Sequence, residues 1–277
     1  PIDSNKPRID EETKINIVTE VRLKRTIRDY LFDYEGYNGN NDKDIFVREI
    51  IYDTENNYIQ DAKKRASDFD NNMKSILEVC IDIRLFGGVI PLEKDSITFT
   101  GPVQFKMGRS LHQVELVHIK GTGAFASGEK AKQKTFREEY ILPYSFVAFH
   151  GIINNKAAEH TRLESNDVDL MLKAMWYGTK NLISRSKFGQ MPRLLIKIDY
   201  KKDVNGFFIG DLEKRISIQN VDNEYKIRNV ADFILDINNL LSEIQKNKQK
   251  IESVSYAIDE SLKINSSIPD DWNKLNF

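Results

Sequence analysis

Four histidines, His112, His118, His150 and His160, are the first side chains to weigh for catalysis or metal binding. No two of them stand four residues apart, so the paired imidazoles of a helical zinc site are missing. His112 and His118, six residues apart, would share one face of a continuous strand, but a metal held there needs further ligands. Glu159-His160 could act as an acid–base pair and reads better as an exposed loop dipeptide. Gly121-Thr122-Gly123 lacks the third glycine and the apolar helix of a dinucleotide fingerprint. Neither a phosphate-cradling P-loop nor a Gly-x-Ser-x-Gly nucleophile elbow occurs. Asp167 and Asp169 fall where a helix should begin, and there carboxylates complement the positive end of the dipole. Cys80, the single cysteine, lies in the apolar run Ile76–Ile81 and reads as buried. These patterns supply no catalytic constellation and imply no cofactor or metal.

Binding chemistry is better supplied. Arg22, Lys24, Arg25 and Arg28 crowd one short amphipathic segment, with Lys24 and Arg28 at i, i+4. Four cations on one helix can follow a phosphate backbone. After Gly101 come Lys106, Arg109 and Ser110 beside Phe105, the pairing of cation and aromatic ring that serves single-stranded nucleic acid. Between Gly101 and Arg137 the cations Lys106, Arg109, Lys120, Lys130, Lys132, Lys134 and Arg137 face only Glu115 and Glu129. The whole chain has a net charge of −1, so this segment polarises it. Such polarity suits a polyanion groove on one face and self-assembly through another.

The elements that must hold these residues follow from periodicity. The 277 residues, 40% hydrophobic and 30% charged, provide a core and a solvated surface for one large domain with insertions. No stretch reaches the roughly 20 apolar residues of a membrane span, and no secretory leader is visible, so a soluble, cytoplasmic chain is expected. Thr19 reads as an N-cap for a helix carrying Leu23, Ile27, Tyr30 and Leu31. Residues 43–82 read as helices, closed by a flexible glycine pair at Gly87-Gly88. Ile97–Thr100 and Val103–Phe105 read as strands, and Val114–Lys120 alternates until Gly121-Thr122-Gly123 breaks the chain. The polar, basic stretch 124–139 predicts a protruding loop or hairpin, and Tyr140–Ile153 is strand-forming. A helix from about Ser165 should bury Val168, Leu172, Met175 and Leu182. Leu194–Tyr200 predicts a strand, followed by short ones near Phe207–Ile209 and Arg215–Ile218. Helices are expected over Val230–Lys246 and Ile251–Leu262. The sum is an α+β sheet domain with excursions.

Thr19–Leu31, Asp82–Gly88 and above all Thr100-Gly101-Pro102-Val103-Gln104 with Ser110 resemble the CRISPR-associated backbone-subunit superfamily ("Cas seven"), in its subtype I-B branch. The resemblance covers most of residues 6–200. It implies a modified RNA-recognition-motif palm sheet in a single domain over 1–277, a helical finger insertion at 36–80 and a hairpin thumb at 121–139. Several copies would line a guide RNA (crRNA) in a Cascade complex with other subunits, and target DNA would be read through pairing with the guide. On this sequence the resemblance makes Arg22, Lys24, Arg25 and Arg28 backbone contacts. Arg84, Phe86, Gly87, Gly88, Gln104 and the Lys106–Ser110 turn, including Arg109, would shape the RNA cleft. Lys130, Lys132, Lys134 and Arg137 would lie on the thumb. Family members begin with an apolar strand and an Asn-Pro-Asn-Gly-Asp-like loop that this sequence does not show, which predicts a palm sheet short of one strand, with an exposed pairing edge. RNA-cleaving type III relatives place a catalytic aspartate in that region, so a guide-directed ribonuclease is the enzyme alternative, with Asp3, Asp10 and Asp82 as candidates. A stand-alone, sequence-specific RNA-binding protein is the other.

Overall fold

A computed structural model describes residues 6–91, 96–126 and 134–277, without the side chains of 122–126 and 134–137. The described chain forms two compact units. One gathers residues 6–19, Met107–His150 and Arg193–Asn276; the other gathers Glu20–Lys106 and Gly151–Pro192, with Phe277.

The second unit carries most of the helices. Leu23, Ile27, Tyr30 and Leu31 recur at helical spacing and are buried along α1, Glu20–Tyr34. The short helices α2 (Ala62–Ser67), α3 (Met73–Val79) and α4 (Ile81–Phe86) follow. Asp61 caps α2 by accepting from Lys64 N, and Asn72 caps α3 by accepting from Lys74 N. Phe46, Phe69, Ile76, Leu77, Ile83, Ile90 and Phe99 pack into one core with Cys80, whose thiol burial pushes above its ordinary pKa. Then come α5, Asn155–Thr161, and α6, Ser165–Lys180. Glu164 and Asp167 form a reciprocal capping box at the start of α6. The buried residues of α6 are Asp167, Met171, Leu172, Ala174, Trp176 and Gly178; of the expected stripe Leu172 is buried, Val168 and Met175 are half-buried, and Leu182 lies beyond the helix. A Cβ at Gly178 would sit 3.0 Å from Thr26 O and from Tyr30 Cβ, so this glycine sets how closely α6 approaches α1.

Three antiparallel pairs complete this unit: Ile51–Asp53 with Tyr58–Ile59, Gly87–Pro91 with Ser96–Thr100, and Val103–Phe105 with Gly151–Ile153. Two expectations are corrected here. Residues 43–60 are not helical, because Ile51 and Ile59 belong to a small hairpin. Gly87-Gly88 is not a flexible joint but the start of a strand, in register with Thr100 and Phe99.

The first unit is mostly strands. Arg8–Ile9, Ile15–Val18, Gly108–Gln113 and Val147–Ala148 make a four-stranded antiparallel sheet. Val117–Ala126 pairs with Lys134–Ile141, so the strand continues through Gly121-Thr122-Gly123 instead of breaking there, with a register shift between Thr122 and Ala126. Strand structure within 140–153 is limited to the end of that hairpin and two short pieces. Leu194–Tyr200 pairs with Ile251–Ile258, which Asn273–Lys274 joins in parallel. Ile251–Ile258 is thus a strand, not the expected helix. Residues 230–246 also divide, into a 3-10 turn, the strand Ile234–Asp236 and α7, Asn238–Lys246. Ser217–Gln219 pairs with Ile234–Asp236, while Phe207–Ile209 is not a strand. No helix among the described residues is long and apolar enough to cross a membrane.

Candidate nucleic-acid interface

At 3.6 residues per turn the apolar stripe of α1 leaves its cations on two flanks. Lys24 and Arg28 share one; Arg22, Arg25 and Asp29 share the other. On the first flank, Lys24 Nζ and Arg28 Cζ each lie 5.2 Å from the centroid of the buried Phe86 ring, itself 6.5 Å from Phe105. Cation–ring attraction of about 0.5–2 kcal/mol positions a cation without cancelling its charge. On the second flank Arg25 Nε donates to Asp29 Oδ1 at 2.6 Å, an exposed pair of small energetic weight.

Arg28 turns inward. Its Nε donates to Asp82 Oδ2 at 2.8 Å, and the wholly buried Asp82 also accepts from Phe46 N at 2.7 Å and Val47 N at 3.1 Å. Arg84 is spent as well: Nε and Nη2 each donate to Asp167 at 2.8 Å, and Nη1 reaches the carbonyls of Leu77 at 2.8 Å and Glu78 at 3.1 Å. Burial opposes the charge on Arg84, and the Asp167 carboxylate outweighs it, so its pKa lies above the ordinary value. These two arginines tie α4 to α1 and α6.

The outward cations behave differently. Partial burial lowers the pKa of Arg22, with Arg25 adding to the shift and Asp29 opposing it. Burial and then Arg28 lower Lys24, against Glu20. Lys187, in the turn after α6, is lowered by burial and by Arg22. Like charges gathered on partly desolvated ground attract an anion, which would relieve both penalties at once.

Gly87 has φ +65°, and a Cβ there would stand 2.2 Å from Phe99 O and 2.4 Å from Gly101 N. A Cβ on Gly101 would stand 2.1 Å from the Phe86 carbonyl. Two backbones therefore meet at this point with no room for a side chain. Gly88 meets only Ile83 Cδ1, at 3.4 Å. Gln104 Nε2 donates to Gly101 O at 2.9 Å and closes the turn leading to the exposed Lys106.

In the other unit, Arg109 is exposed and 3.9 Å from Asp10. Ser110 is not available to a ligand: it is buried, donates to His112 O at 2.7 Å and accepts from Asn16 N at 2.9 Å, stitching two strands of the sheet. Lys134 and Arg137 lie opposite Ala126 and Gly121 in the long hairpin. Lys130 and Lys132 lie outside the described residues, as does Asp3.

The family model of CRISPR-associated protein Cas7 matches residues 1–238 of this chain. The chain belongs to that family. A CRISPR-associated protein Cas7 of Haloferax volcanii is 28% identical over 292 positions, covering 95% of this chain and 83% of the relative. Two solved chains from CRISPR RNA-guided surveillance complexes share the fold, each with a TM-score of 0.55 over 99% of this chain. The first, from a pre-nicking complex, is 9% identical and 93% covered; the second is 11% identical and 87% covered. The mixed α+β architecture is thus shared with those two chains.

Within this Cas7-family chain the two described carboxylates among the nuclease candidates, Asp10 and Asp82, have other partners. Both oxygens of Asp82 are committed in the core, as above. Asp10 accepts from Thr13 N at 3.0 Å and Glu12 N at 3.2 Å, and the Thr13 bonds hold its pKa below the ordinary value. His112 and His118 do not converge. His112 is buried, with Nδ1 at 2.8 Å from Gln113 O and Nε2 accepting from Phe146 N at 3.1 Å, and burial lowers its pKa. His118 stacks on Tyr140 with centroids 4.5 Å apart. Among the described residues no three His, Cys, Asp or Glu side chains are grouped to hold a metal. Sequence reasoning missed Lys187, although Arg185-Ser186-Lys187-Phe188-Gly189 carries the same mixture of cations and ring that singled out 105–110.

Proposed function

We propose that this chain is an RNA-binding backbone subunit of the subtype I-B kind, several copies of which line a guide RNA in a DNA-targeting Cascade complex with other subunits. In this reading the sheet is a modified RNA-recognition-motif palm, residues 36–80 are the finger insertion and 121–139 the thumb. The carrying observation is the set of cations on α1, where partial burial lowers the pKa of Arg22 and Lys24 and where Lys187 stands close enough to Arg22 to feel its charge. Arg22, Lys24 and Arg25 are the phosphate contacts, with Lys106 and Arg109 as further cations. Arg28 and Arg84 act beneath them, holding Phe86 and α4 in place. Phosphate contacts carry no base information, so binding tolerates any sequence and the guide supplies specificity.

Native mass spectrometry of the full chain on RNAs of increasing length tests this. The expected result is a stepwise rise in bound copies; one copy at every length would refute it. Cleavage of complementary RNA at regular intervals by the assembled particle would favour the ribonuclease alternative instead.

A further inference from the structure

Apart from Lys187 the turn after α6 has no part in the assignments above, yet it holds the most exposed apolar side chains among the described residues of its unit. Ile183 is 90% exposed and Phe188 80%. The turn is nonetheless built: Ser184 O accepts from Lys187 N at 2.9 Å and from Phe188 N at 2.8 Å, and Lys187 O accepts from Gln190 N at 3.2 Å. Within it Lys187 is half-buried while Ser186, Phe188 and Gly189 are exposed, so the cation faces inward and the ring outward. What it faces is positive, since Arg22 stands close enough to disfavour its charge.

An apolar ring held in solvent beside a cation cluster fits a partner with both a flat apolar face and a negative charge. Single-stranded nucleic acid has both, one repeat apart. An acidic protein surface would match the charge and leave the ring without a flat partner.

We propose that the 184–190 turn completes the RNA seat: Lys187 joins Arg22 on the phosphate backbone, and Phe188 stacks on an unpaired base of the same strand. The proposal rests on the RNA-binding reading above. It adds a base-facing element on the loop after α6, apart from both α1 and the thumb hairpin.

The test uses the full chain and an RNA short enough to seat one copy. Phe188→Ala is expected to weaken binding by about 5- to 150-fold, the range for one lost base–aromatic stack. Lys187→Gln is expected to flatten the slope of log affinity against log salt by about 0.7. In Phe188→Trp the indole fluorescence should be quenched on binding ordinary RNA and unaffected by RNA abasic at the seated position. Because these side chains are at the surface, circular dichroism should show an unchanged fold. If Arg22→Gln/Arg25→Gln weakens binding while the Phe188 and Lys187 variants bind as wild type, the proposal fails and the RNA-binding reading stands. If none of the variants alters binding, both fail. If Phe188→Ala leaves the short RNA unaffected but lowers the number of copies on long RNA, the ring touches a neighbouring copy, and the proposal is overturned.

Discussion

Replacing Asp82 with alanine removes the carboxylate on which three donors converge. Arg28 Nε, Phe46 N and Val47 N lie 2.8, 2.7 and 3.1 Å from it, and the Asp82 side chain has no exposed surface. The variant leaves a guanidinium only 12% exposed without its counter-charge, and a buried amide without an acceptor. Breaking a buried pair from one side costs about 3–5 kcal/mol, a large share of the roughly 5–15 kcal/mol that holds a domain together. Asp82→Asn keeps the shape and one acceptor but turns an NH2 towards a donor, so its cost should be nearer the 1.5–3 kcal/mol of a single charged hydrogen bond. Arg28→Met with Asp82→Asn removes both charges and should recover part of the loss. Urea unfolding followed by circular dichroism gives the four stabilities of the cycle, and the coupling term isolates the pair. A cost below about 1 kcal/mol for Asp82→Ala, or strict additivity across the cycle, would refute the reasoning. Arg28→Met should also leave the salt dependence of RNA binding unchanged, since its guanidinium is engaged with Asp82.

Alanine at Arg22, Lys24 and Arg25 should weaken RNA binding for all sequences alike and flatten the salt slope by roughly 2; alanine at the exposed Lys246 and Lys248 is the control. Burial lowers the pKa of Lys24 and Lys187 below the ordinary 10.5, and a bound phosphate raises it again. Binding therefore takes up protons, and affinity measured by fluorescence anisotropy should begin to fall on the alkaline side before that value is reached. Gly101→Ala drives a Cβ against the Phe86 carbonyl and should cost more than about 2 kcal/mol, whereas Gly88→Ala makes only ordinary contact and should be far milder in urea unfolding. Because burial lowers the His112 pKa, the unfolded chain binds the proton more readily, so stability should decline as pH drops below about 6.5; His112→Gln should lose that component of the pH dependence of thermal melting.

Elements whose buried residues keep one period were legible in the sequence. The α1 stripe of Leu23, Ile27, Tyr30 and Leu31 is one; Leu194–Tyr200 was legible from its strand-forming residue types instead, since all seven of its residues are half-buried. Ile251, Val254 and Ala257 stand three apart and imitate a helical face. They are buried in a strand whose packing does not follow simple alternation, so its two-residue period is blurred. Phe233, Ile237, Leu240 and Ile244 likewise imitate one long helix across a strand and a turn. In the site, charge and spacing picked out the cation helix but could not tell which arginines face inward. That depends on Asp82 and Asp167, 54 and 83 residues away from Arg28 and Arg84. Ser110 was read as a cleft residue for the same reason, since its partner Asn16 is 94 residues distant.

The contact between Gly87 and Gly101 leaves the joint between α4 and the following hairpin without slack. Neither position can gain a side chain without striking the opposite backbone. The hairpin Gly87–Pro91 with Ser96–Thr100 is therefore geared to α4, and α4 ends in the ring beneath Lys24 and Arg28. Val89 is exposed on that hairpin, and a side chain added at either glycine should displace both the hairpin and the seat of the cations. Two glycines thus join the hairpin to the charged flank of the helix.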